Sequence, residues 1–289
     1  MIKCIVCDLD GTLICKDDSM EKEMLQCLRK QLDRGVELIL ATGRSYHMVE
    51  EILQHYQLHC DLILNNGAEY RNAQNDILTL IPMRQEAFVQ IVRILNHQGY
   101  LLAIHTNQGL YSCHDKDAFW DYHIKLLTKN LSEKEQLPQK TFTIKEKYLK
   151  DFHYIQDPQD IYKQQVKPLK IDARHLEAQL TKGIKEKLQS LHLDISSSFE
   201  DNMEITSNHS NKGKLLEKVI ETKGYAKDEV AVFGDGENDC AMLSLYPYSF
   251  APQNAVKKAK EVANYTLTTT NEQGAVKEGI EILENLGLL

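Results

Sequence analysis

Buried strands alternate with amphipathic helices over the first third of the chain. Residues 2–9 form a nearly continuous apolar run that ends in aspartate and glycine, a pattern typical of a strand buried on both faces in a parallel sheet. Apolar residues then recur at helical spacing over residues 20–32, and Asp18 or Ser19 is the expected cap. The next predicted elements are a strand at 36–41, a helix at 45–56 and a strand at 62–64. This β-α-β-α-β order predicts a doubly wound α/β fold with right-handed crossovers.

The last third of the chain repeats this order of elements. Residues 212–223 form an amphipathic helix that Gly224 ends. The elements predicted after it are a strand at 230–233, a helix at 239–245, a strand at 248–251 and helices at 255–263 and 272–286. Both ends of the chain are therefore expected to contribute to one parallel sheet.

Residues 82–191 separate the two ends and differ from them in their pattern of predicted strands and helices. Its predicted elements are strands at 100–106 and 152–156 and helices at 85–97, 118–127 and 176–191. Lysine-dense runs at 145–150 and 163–170 are interpreted as solvated faces. Because one β-α-β unit needs only about 30 residues, a segment this long predicts a second domain, and a chain of 289 residues suits two domains.

Composition and charge exclude several classes of protein. With 42% hydrophobic and 26% charged residues, the chain is typical of a globular protein rather than of a disordered, collagen-like or membrane-bundle one. Its net charge of -8 disfavours nucleic acid and anionic lipid as partners. No apolar run is long enough to cross a membrane and no signal-peptide core precedes Asp8, so we expect a cytoplasmic protein. Nothing in the sequence indicates an obligate protein partner.

The seven cysteines are expected to be free thiols, since their number is odd and their spacing is irregular. Cys4 and Cys7 form a C-x-x-C pair, but residues three apart on a strand face opposite sides of the sheet. We therefore interpret both as buried packing residues rather than as a redox or zinc pair.

Acidic residues follow two of the predicted strands. Asp8 and Asp10 follow the first strand at i and i+2, so both can project to the same side, and Asp235 and Asp239 follow the strand at 230–233. Ligands of open α/β sheets bind beyond the carboxyl ends of the strands, so all four carboxylates are expected in one crevice. Such a cluster would not stay ionised at neutral pH without a cation. Oxygen ligands that leave room for water and phosphate favour Mg²⁺ over Ca²⁺ or zinc.

Phosphate-binding groups are predicted beside this metal site. Thr42 supplies a hydroxyl, Gly43 supplies an unhindered amide at the start of a helix, and Lys212 supplies a positive charge. Taken singly, Thr42 and Lys212 also suit ordinary strand-end and surface positions, and Asp10-Gly11 also suits a hairpin turn. An EF-hand is excluded, because neither acidic string places glycine at its sixth position.

In their order along the chain, these segments resemble the four motifs of the haloacid dehalogenase-like superfamily, and in particular its Cof-type, class IIB branch. The matching segments are Asp8-Leu9-Asp10-Gly11-Thr12, Thr42-Gly43-Arg44, Lys212-Gly213 and Gly234-Asp235-Gly236-Glu237-Asn238-Asp239, together with Asn65-Asn66-Gly67-Ala68, Ala251-Pro252-Gln253-Asn254-Ala255 and Asn271-Glu272-Gln273-Gly274-Ala275-Val276. Pro252-Gln253 departs from the Met-Gly that the branch often carries, and the middle of the chain is unmatched in detail. The resemblance implies a Rossmann-like, doubly wound parallel-sheet core with an inserted α/β cap domain of the C2 type. We place the core at residues 1–82 and 192–289 and the cap at 83–191.

The resemblance also implies a reaction. Asp8 is implied to be the nucleophile that becomes an aspartyl phosphate, and Asp10 to be first the acid and then the base. Mg²⁺ is implied to bind the carboxylates of Asp8 and Asp235 and the backbone carbonyl of Asp10, with Asp239 close by. The residues expected around the phosphate are Thr42, Gly43, Lys212 and Asn238.

The sequence thus predicts a Mg²⁺-dependent phosphatase of small phosphorylated metabolites, with a cap that closes to exclude water. Sugar phosphates are the substrates that the resemblance favours, while nucleotide-type and cofactor phosphates stay open. The alternatives are a phosphomutase on the same scaffold and a non-catalytic metabolite sensor. The sensor is disfavoured by the intact set of Asp8, Asp10, Thr42, Lys212 and Asp235. Arg84, His105 and Asn107 are polar candidates in the cap, although surface or packing roles explain them more simply.

Overall fold

Two compact units make up the computed structural model, which describes residues 1–129, 143–188, 191, 193–197 and 201–289. Unit 1 combines both ends of the chain, Met1–Thr79 and Asn211–Leu289, and unit 2 is Leu80–Ser210. The second boundary follows Ser210, not residue 191 as predicted, because strands within residues 193–207 pair with the sheet of unit 2. Within the described ranges, no helix is long and apolar enough to cross a membrane.

The strands of the described ranges are, in chain order, β1 (Cys4–Cys7), β2 (Glu37–Ala41), β3 (Asp61–Leu64), β4 (Glu69–Arg71), β5 (Ile77–Leu80), β6 (Leu101–Thr106), β7 (Gly109–Ser112), β8 (Phe152–Tyr154), β9 (Pro168–Arg174), β10 (Leu193–Ser196), β11 (Asn202–Ser207), β12 (Val230–Phe233), β13 (Tyr248–Ala251) and β14 (Tyr265–Thr266). The α-helices of the same ranges are α1 (Lys22–Asp33), α2 (Tyr46–Tyr56), α3 (Gln85–His97), α4 (Lys116–Thr128), α5 (Lys145–Tyr148), α6 (Asp160–Lys163), α7 (Ala178–Leu188), α8 (Lys212–Lys223), α9 (Cys240–Leu243), α10 (Lys257–Val262) and α11 (Ala275–Asn285).

Unit 1 is built on a sheet of order β14-β13-β12-β1-β2-β3-β4-β5. The six strands from β14 to β3 pair in parallel, and β4 pairs antiparallel with β3. The chain adds β2 and β3 on one side of β1 and later adds β12, β13 and β14 on the other, so the prediction of a doubly wound α/β fold is confirmed. The sequence does not predict β4 and β5, because these short segments lack the continuous apolar run of a strand buried on both faces.

The core of unit 1 places the two cysteines of β1 on different faces. Ile5 and Cys7 belong to one buried cluster with Phe233 of β12 and Met24 of α1. Cys4 is equally buried but is not part of that cluster, as expected for residues three apart on a strand. All seven cysteines are free thiols, and burial raises the pKa of Cys7, which makes its thiol unreactive. The C-x-x-C pair is therefore a packing feature.

Helix α1 is capped by Glu21 rather than by Asp18 or Ser19. The Glu21 carboxylate accepts hydrogen bonds from the backbone N–H groups of Glu23 at 3.0 Å and Met24 at 2.6 Å. Asp18 lies instead in a left-handed turn at φ 64°, and its carboxylate contacts Arg44. Asp18, Ser19 and Glu21 all precede this helix. The sequence alone does not show which of these side chains bonds the first turn of the helix and which binds another partner.

Unit 2 contains a second sheet of order β10-β11-β9-β6-β7-β8. Its neighbouring strands are antiparallel, except that β7 and β8 are parallel. One face carries apolar side chains such as Ile104, Ile171 and Met203, which pack with Phe88 of α3 into a core of their own. Each unit therefore has its own hydrophobic core.

The opposite face of this second sheet is polar and partly buried. Lys170 of β9 is 3% exposed, and its ammonium group lies 3.3 Å from a carboxylate oxygen of Asp172. The prediction of a solvated face over residues 163–170 is therefore wrong at Lys170, although the side chain of Lys163 is exposed. The helix predicted at 176–191 corresponds to α7, and residues 189 and 190 lie outside the described residues.

Candidate active site

The candidate site lies where the winding of the sheet in unit 1 reverses direction. β1 and β12 are neighbours, but the chain leaves them towards opposite edges of the sheet. Asp8 directly follows β1, and its backbone N–H continues the strand pairing with the carbonyl of Phe233 at 2.9 Å. Asp235 lies two residues beyond the end of β12. Crevices at such switch points are where open α/β sheets bind ligands.

Three carboxylates meet at this point. Asp8, Asp235 and Asp239 each offer one oxygen atom, and these oxygen atoms lie within 4.8 Å of one another. Asp8 and Asp239 are buried and Asp235 is partly buried. Acids from two distant parts of the chain therefore share one small volume, as the sequence predicts for these three.

Lys212, the first residue of α8, supplies the positive charge of this group. Its ammonium nitrogen lies 2.5 Å from Asp8 Oδ1 and 2.7 Å from Asp239 Oδ1, and its side chain is fully buried. Burial alone lowers the pKa of Lys212, but Asp239 and Asp8 raise it above its usual value. Lys212 is therefore a charged lysine of the site rather than a surface lysine, the simpler interpretation of its sequence position.

Asp239 orders the turn that carries Asp235. Its Oδ2 atom accepts hydrogen bonds from the backbone N–H groups of Asp235 at 3.0 Å and Gly236 at 2.8 Å, while Oδ1 accepts one from Lys212. Three donors thus already occupy this carboxylate. Asp239 is consequently better placed to orient its neighbours than to offer free lone pairs.

Negative charge exceeds positive charge in this group. Burial and the neighbouring Asp239 raise the pKa of Asp8 well above its usual value, against the opposite influence of Lys212. The same two causes, burial and Asp239, raise the pKa of Asp235 to about 6. A further positive charge at this position would stabilise the ionised form of both acids.

The loop after β1 is shaped to bring its backbone against Asp235. Gly11 has φ +77°, and a Cβ atom at this position would lie 2.5 Å from Asp235 Oδ2. Thr12 donates from its hydroxyl to Asp235 Oδ1 at 2.8 Å. Asn254 donates from Nδ2 to the carbonyl of Gly11 at 2.7 Å, and its Oδ1 accepts from the backbone N–H of Asn271 at 2.9 Å. The two late segments that resemble the family thus support this loop.

Asp10 does not join the other three acids. Its carboxylate accepts two hydrogen bonds from Arg44, at 2.8 Å from Nε and 2.6 Å from Nη2, and Arg44 also binds Asp18. Among the residues that the structure describes, the acidic group therefore has three members, and the prediction of four carboxylates in one cluster is wrong for Asp10. The i and i+2 spacing would align two side chains only if the strand continued, whereas β1 ends at Cys7.

Of the predicted phosphate-binding residues, Lys212 begins α8, and Thr42, Gly43 and Asn238 lie on two connections of unit 1 that Asn66 links. Thr42 follows β2 and is buried, and its hydroxyl accepts a hydrogen bond from the backbone N–H of Arg44 at 3.1 Å. Gly43 lies between them, ahead of helix α2, whose N-cap is Ser45. Asn238 reaches the same region, where its Nδ2 donates to Asn66 Oδ1 at 3.0 Å. Asn66 in turn donates its backbone N–H to the carbonyl of Thr42 at 3.1 Å.

The three polar candidates of unit 2 have different surroundings. Arg84 is an exposed residue that precedes α3. His105 is buried on β6, with Nε2 3.8 Å from Asp172 Oδ2, and burial lowers its pKa. Asn107 accepts a hydrogen bond from the backbone N–H of Lys167 at 2.8 Å. These contacts agree with surface and packing roles.

Sequence reasoning assigned no role to several polar residues that hold the site. Thr12, Arg44, Asn66, Asn254 and Asn271 all make hydrogen bonds to predicted site residues or to their loops. All five fall within segments that resemble the family, and this was the available signal. Their contacts join distant parts of the chain, so periodicity gives no indication of them.

The chain is similar to known proteins in both sequence and structure. A family model described as haloacid dehalogenase-like hydrolase matches residues 5–280. The chain is 27% identical over 282 residues to 5-amino-6-(5-phospho-D-ribitylamino)uracil phosphatase YwtE of Bacillus subtilis (strain 168), covering 94% of this chain and 95% of that protein. It is 25% identical over 268 residues to pyridoxal phosphate phosphatase YbhA of Escherichia coli (strain K12), covering 91% and 92%. A solved haloacid dehalogenase-like hydrolase from B. subtilis has a TM-score of 0.83 at 23% identity, covering 98% of this chain and 100% of that one.

Proposed function

This chain belongs to the haloacid dehalogenase-like hydrolase family, and we propose that it is a Mg²⁺-dependent phosphatase that hydrolyses sugar phosphates through an aspartyl phosphate on Asp8. YwtE and YbhA are both named phosphatases, and the chain is accordingly a phosphatase of small phosphorylated metabolites. The observation that supports Mg²⁺ dependence and an aspartyl phosphate on Asp8 is the group of Asp8, Asp235 and Asp239. Their oxygen atoms lie within 4.8 Å of one another beside a buried ammonium group.

The name of one relative supports a phosphorylated sugar or polyol as the substrate. YwtE is named for a compound with a 5-phospho-D-ribitylamino group. YbhA is named for pyridoxal phosphate, so this compound belongs in the same test. We assign the choice among such substrates to unit 2, which we propose to be an inserted cap domain.

The acidic group fits a hard divalent cation. All three side chains offer oxygen ligands, and burial and the neighbouring Asp239 raise the pKa values of Asp8 and Asp235, so a bound cation would stabilise the ionised form of both acids. Because Asp239 already accepts three hydrogen bonds, we propose the carboxylates of Asp8 and Asp235 and the backbone carbonyl of Asp10 as ligands, with Asp239 orienting them. When bound, Mg²⁺ would reduce the repulsion between Asp8 and the phosphate of the substrate.

The side chains suit hydrolysis in two displacements. In the first, an oxygen atom of Asp8 bonds to phosphorus while the bond to the leaving oxygen breaks, and Asp10 donates a proton to that oxygen. In the second, Asp10 accepts a proton from a water molecule whose oxygen attacks phosphorus and releases Asp8. The groups proposed to stabilise the phosphoryl oxygens are the hydroxyl of Thr42, the amide of Gly43, Lys212 and Asn238.

Phosphate release from a panel of phosphorylated sugars, polyols, nucleotides and pyridoxal phosphate, with and without Mg²⁺, tests this proposal. Asp8→Asn and Asp10→Asn are each expected to remove nearly all turnover while the variants stay folded, which a cooperative thermal unfolding transition checks. Asp33→Asn, an exposed residue at the end of α1, is the matched control and should keep full activity. Substantial turnover by Asp8→Asn would overturn the assignment of the nucleophile. An isomerised sugar phosphate without free phosphate would indicate a phosphomutase, and binding without turnover would indicate a sensor.

A further inference from the structure

A buried arginine holds the carboxylate of Asp10 at two points. Arg44 donates from Nε to Asp10 Oδ2 at 2.8 Å and from Nη2 to Asp10 Oδ1 at 2.6 Å. The side chain of Arg44 is 6% exposed, whereas that of Asp10 is 51% exposed. The contact therefore joins a fixed cation to a carboxylate that faces solvent. A two-point contact between a guanidinium and a carboxylate fixes orientation as well as position.

Arg44 is itself held from another side by Asp18. Its Nη2 atom lies 2.6 Å from Asp18 Oδ1, and its Nη1 atom lies 3.5 Å from the carbonyl oxygen of Met48. Burial alone lowers the pKa of Arg44, but Asp10 and Asp18 raise it above its usual value, so the guanidinium stays charged. The cation that binds Asp10 thus has little freedom to move.

Asp18 reaches Arg44 from an unfavourable backbone conformation. Its φ of 64° lies in the left-handed region, which residues with a side chain rarely occupy. Hydrogen bonds hold the turn, since the N–H of Asp18 donates to the carbonyl of Cys15 at 3.1 Å and the N–H of Cys15 donates to the carbonyl of Ser19 at 2.8 Å. Such a conformation persists only where surrounding contacts support it.

We propose that Arg44, held by Asp18, is a positioning residue that keeps the Asp10 carboxylate where it exchanges protons with the leaving group and with water. This inference rests on the proposed function, in which Asp10 is the acid and then the base. Arg44 acts through Asp10 and not on the substrate. Proton transfer needs its heavy atoms within hydrogen-bond reach, so a carboxylate that loses its two-point contact and rotates is less often in place.

A purely structural ion pair is the competing explanation. If Arg44 only stabilised the loop, its replacement would slow every chemical step alike. 4-Nitrophenyl phosphate separates the two explanations, because 4-nitrophenolate leaves without a proton. Formation of the aspartyl phosphate from this substrate then needs Asp8 but no acid, whereas the attack of water still needs Asp10 to accept a proton.

The test is stopped-flow kinetics of the full chain with Mg²⁺ and 4-nitrophenyl phosphate. Arg44→Lys keeps the positive charge but loses the two-point contact, and Asp18→Gly suits the left-handed backbone but removes the contact with Arg44. For Arg44→Lys we expect a first turnover near the parent rate, followed by steady-state turnover about 10- to 100-fold slower, the cost typical of a misplaced catalytic group. Asp18→Gly should show the same pattern with a smaller loss. Arg34→Lys, an exposed arginine that follows α1, should match the parent in both phases.

Two results would overturn the proposal. One is equal slowing of the first turnover and the steady state by Arg44→Lys, and the other is no slowing of either. If Arg44→Lys does not fold, Asp18→Gly decides by the same criterion. Failure of the proposed function has a different signature, because the parent would then release no phosphate or Asp8→Asn would keep its turnover, whatever the Arg44 variant does.

Discussion

The ammonium group of Lys212 lies 2.5 Å from a carboxylate oxygen of Asp8, and both side chains are buried. The same ammonium group contacts Asp239, and Asp235 completes the group, so one lysine faces three acids. Loss of one partner from a buried ion pair leaves the other charge without compensation, which costs more than the pair itself contributes. Lys212 is therefore expected to matter for folding as well as for phosphate binding.

Lys212→Met should destabilise the protein by about 3–5 kcal/mol, the usual cost of breaking a buried pair, and should also remove phosphatase activity. Lys218→Met on the same helix replaces an exposed lysine and is the matched control, with little expected effect on either property. Urea unfolding at pH 7 measures the free energy of unfolding, and phosphate release measures activity. An active Lys212→Met variant as stable as the Lys218→Met control would contradict this account of the site.

Addition of Mg²⁺ should raise the thermal unfolding temperature, because an ion that binds only the folded state stabilises it by mass action. The rise should be reversed by a chelator. Asp235→Asn removes one proposed ligand, and we expect its unfolding temperature to respond little to Mg²⁺. Differential scanning fluorimetry over a series of MgCl₂ concentrations gives this result independently of any substrate. Equal shifts in the parent and in Asp235→Asn would place the ion elsewhere.

Gly11→Ala should reduce activity more than its effect on stability explains. Gly11 and Gly35 both have positive φ, +77° and +88°, so alanine is strained at either position. A Cβ atom at Gly11 would also lie 2.5 Å from Asp235 Oδ2, whereas nothing lies within 4 Å of one at Gly35. Gly35→Ala is therefore a control for backbone strain alone. We expect each variant to lose about 1 kcal/mol or more of stability, with a larger loss for Gly11→Ala, and we expect lower kcat and weaker Mg²⁺ binding only for Gly11→Ala.

The sequence predicts the strands β1, β2, β3, β12 and β13 of unit 1 and three of its acids because the relevant signals are local. A continuous apolar run identifies β1 and β12, and the residues that follow parallel strands must lie at the same edge of the sheet. The position of Asp10 depends on a contact with Arg44, 34 positions away, and no local pattern encodes it. Fold and metal-site candidates were therefore predictable, but the partner of Asp10 was not.

Unit 2 was less predictable for a similar reason. β9 alternates apolar and polar residues with the period of a strand that has one buried face, but its lysine suggested a solvated segment. Lys170 is nevertheless buried, with Asp172 beside it and with His105 of β6 and Thr206 of β11 at the paired positions on either side. β10 pairs with β11, which in turn pairs with β9 on the far side of α7 in the sequence, so the boundary of the unit depends on contacts that composition does not reveal.

Acid should weaken the contribution of Glu278 to stability. Its carboxylate accepts hydrogen bonds from the backbone N–H and hydroxyl groups of Thr268 and Thr269, at 2.6–3.1 Å. Burial by itself raises the pKa of Glu278, but these hydrogen bonds lower it below its usual value. A carboxyl whose pKa is lower in the folded state stabilises that state above its unfolded pKa, about 4.3 for glutamate, and loses this contribution as the pH falls through the folded value.

Glu278→Gln should therefore lower the free energy of unfolding by about 1 kcal/mol at pH 7, and the difference from the parent should shrink below pH about 4. Glu272→Gln, an exposed residue of the preceding turn, should show no such difference at either pH. A parent–Glu278→Gln difference that stays constant from pH 7 to pH 3 in urea titrations would mean that the charge of Glu278 is not what stabilises this contact.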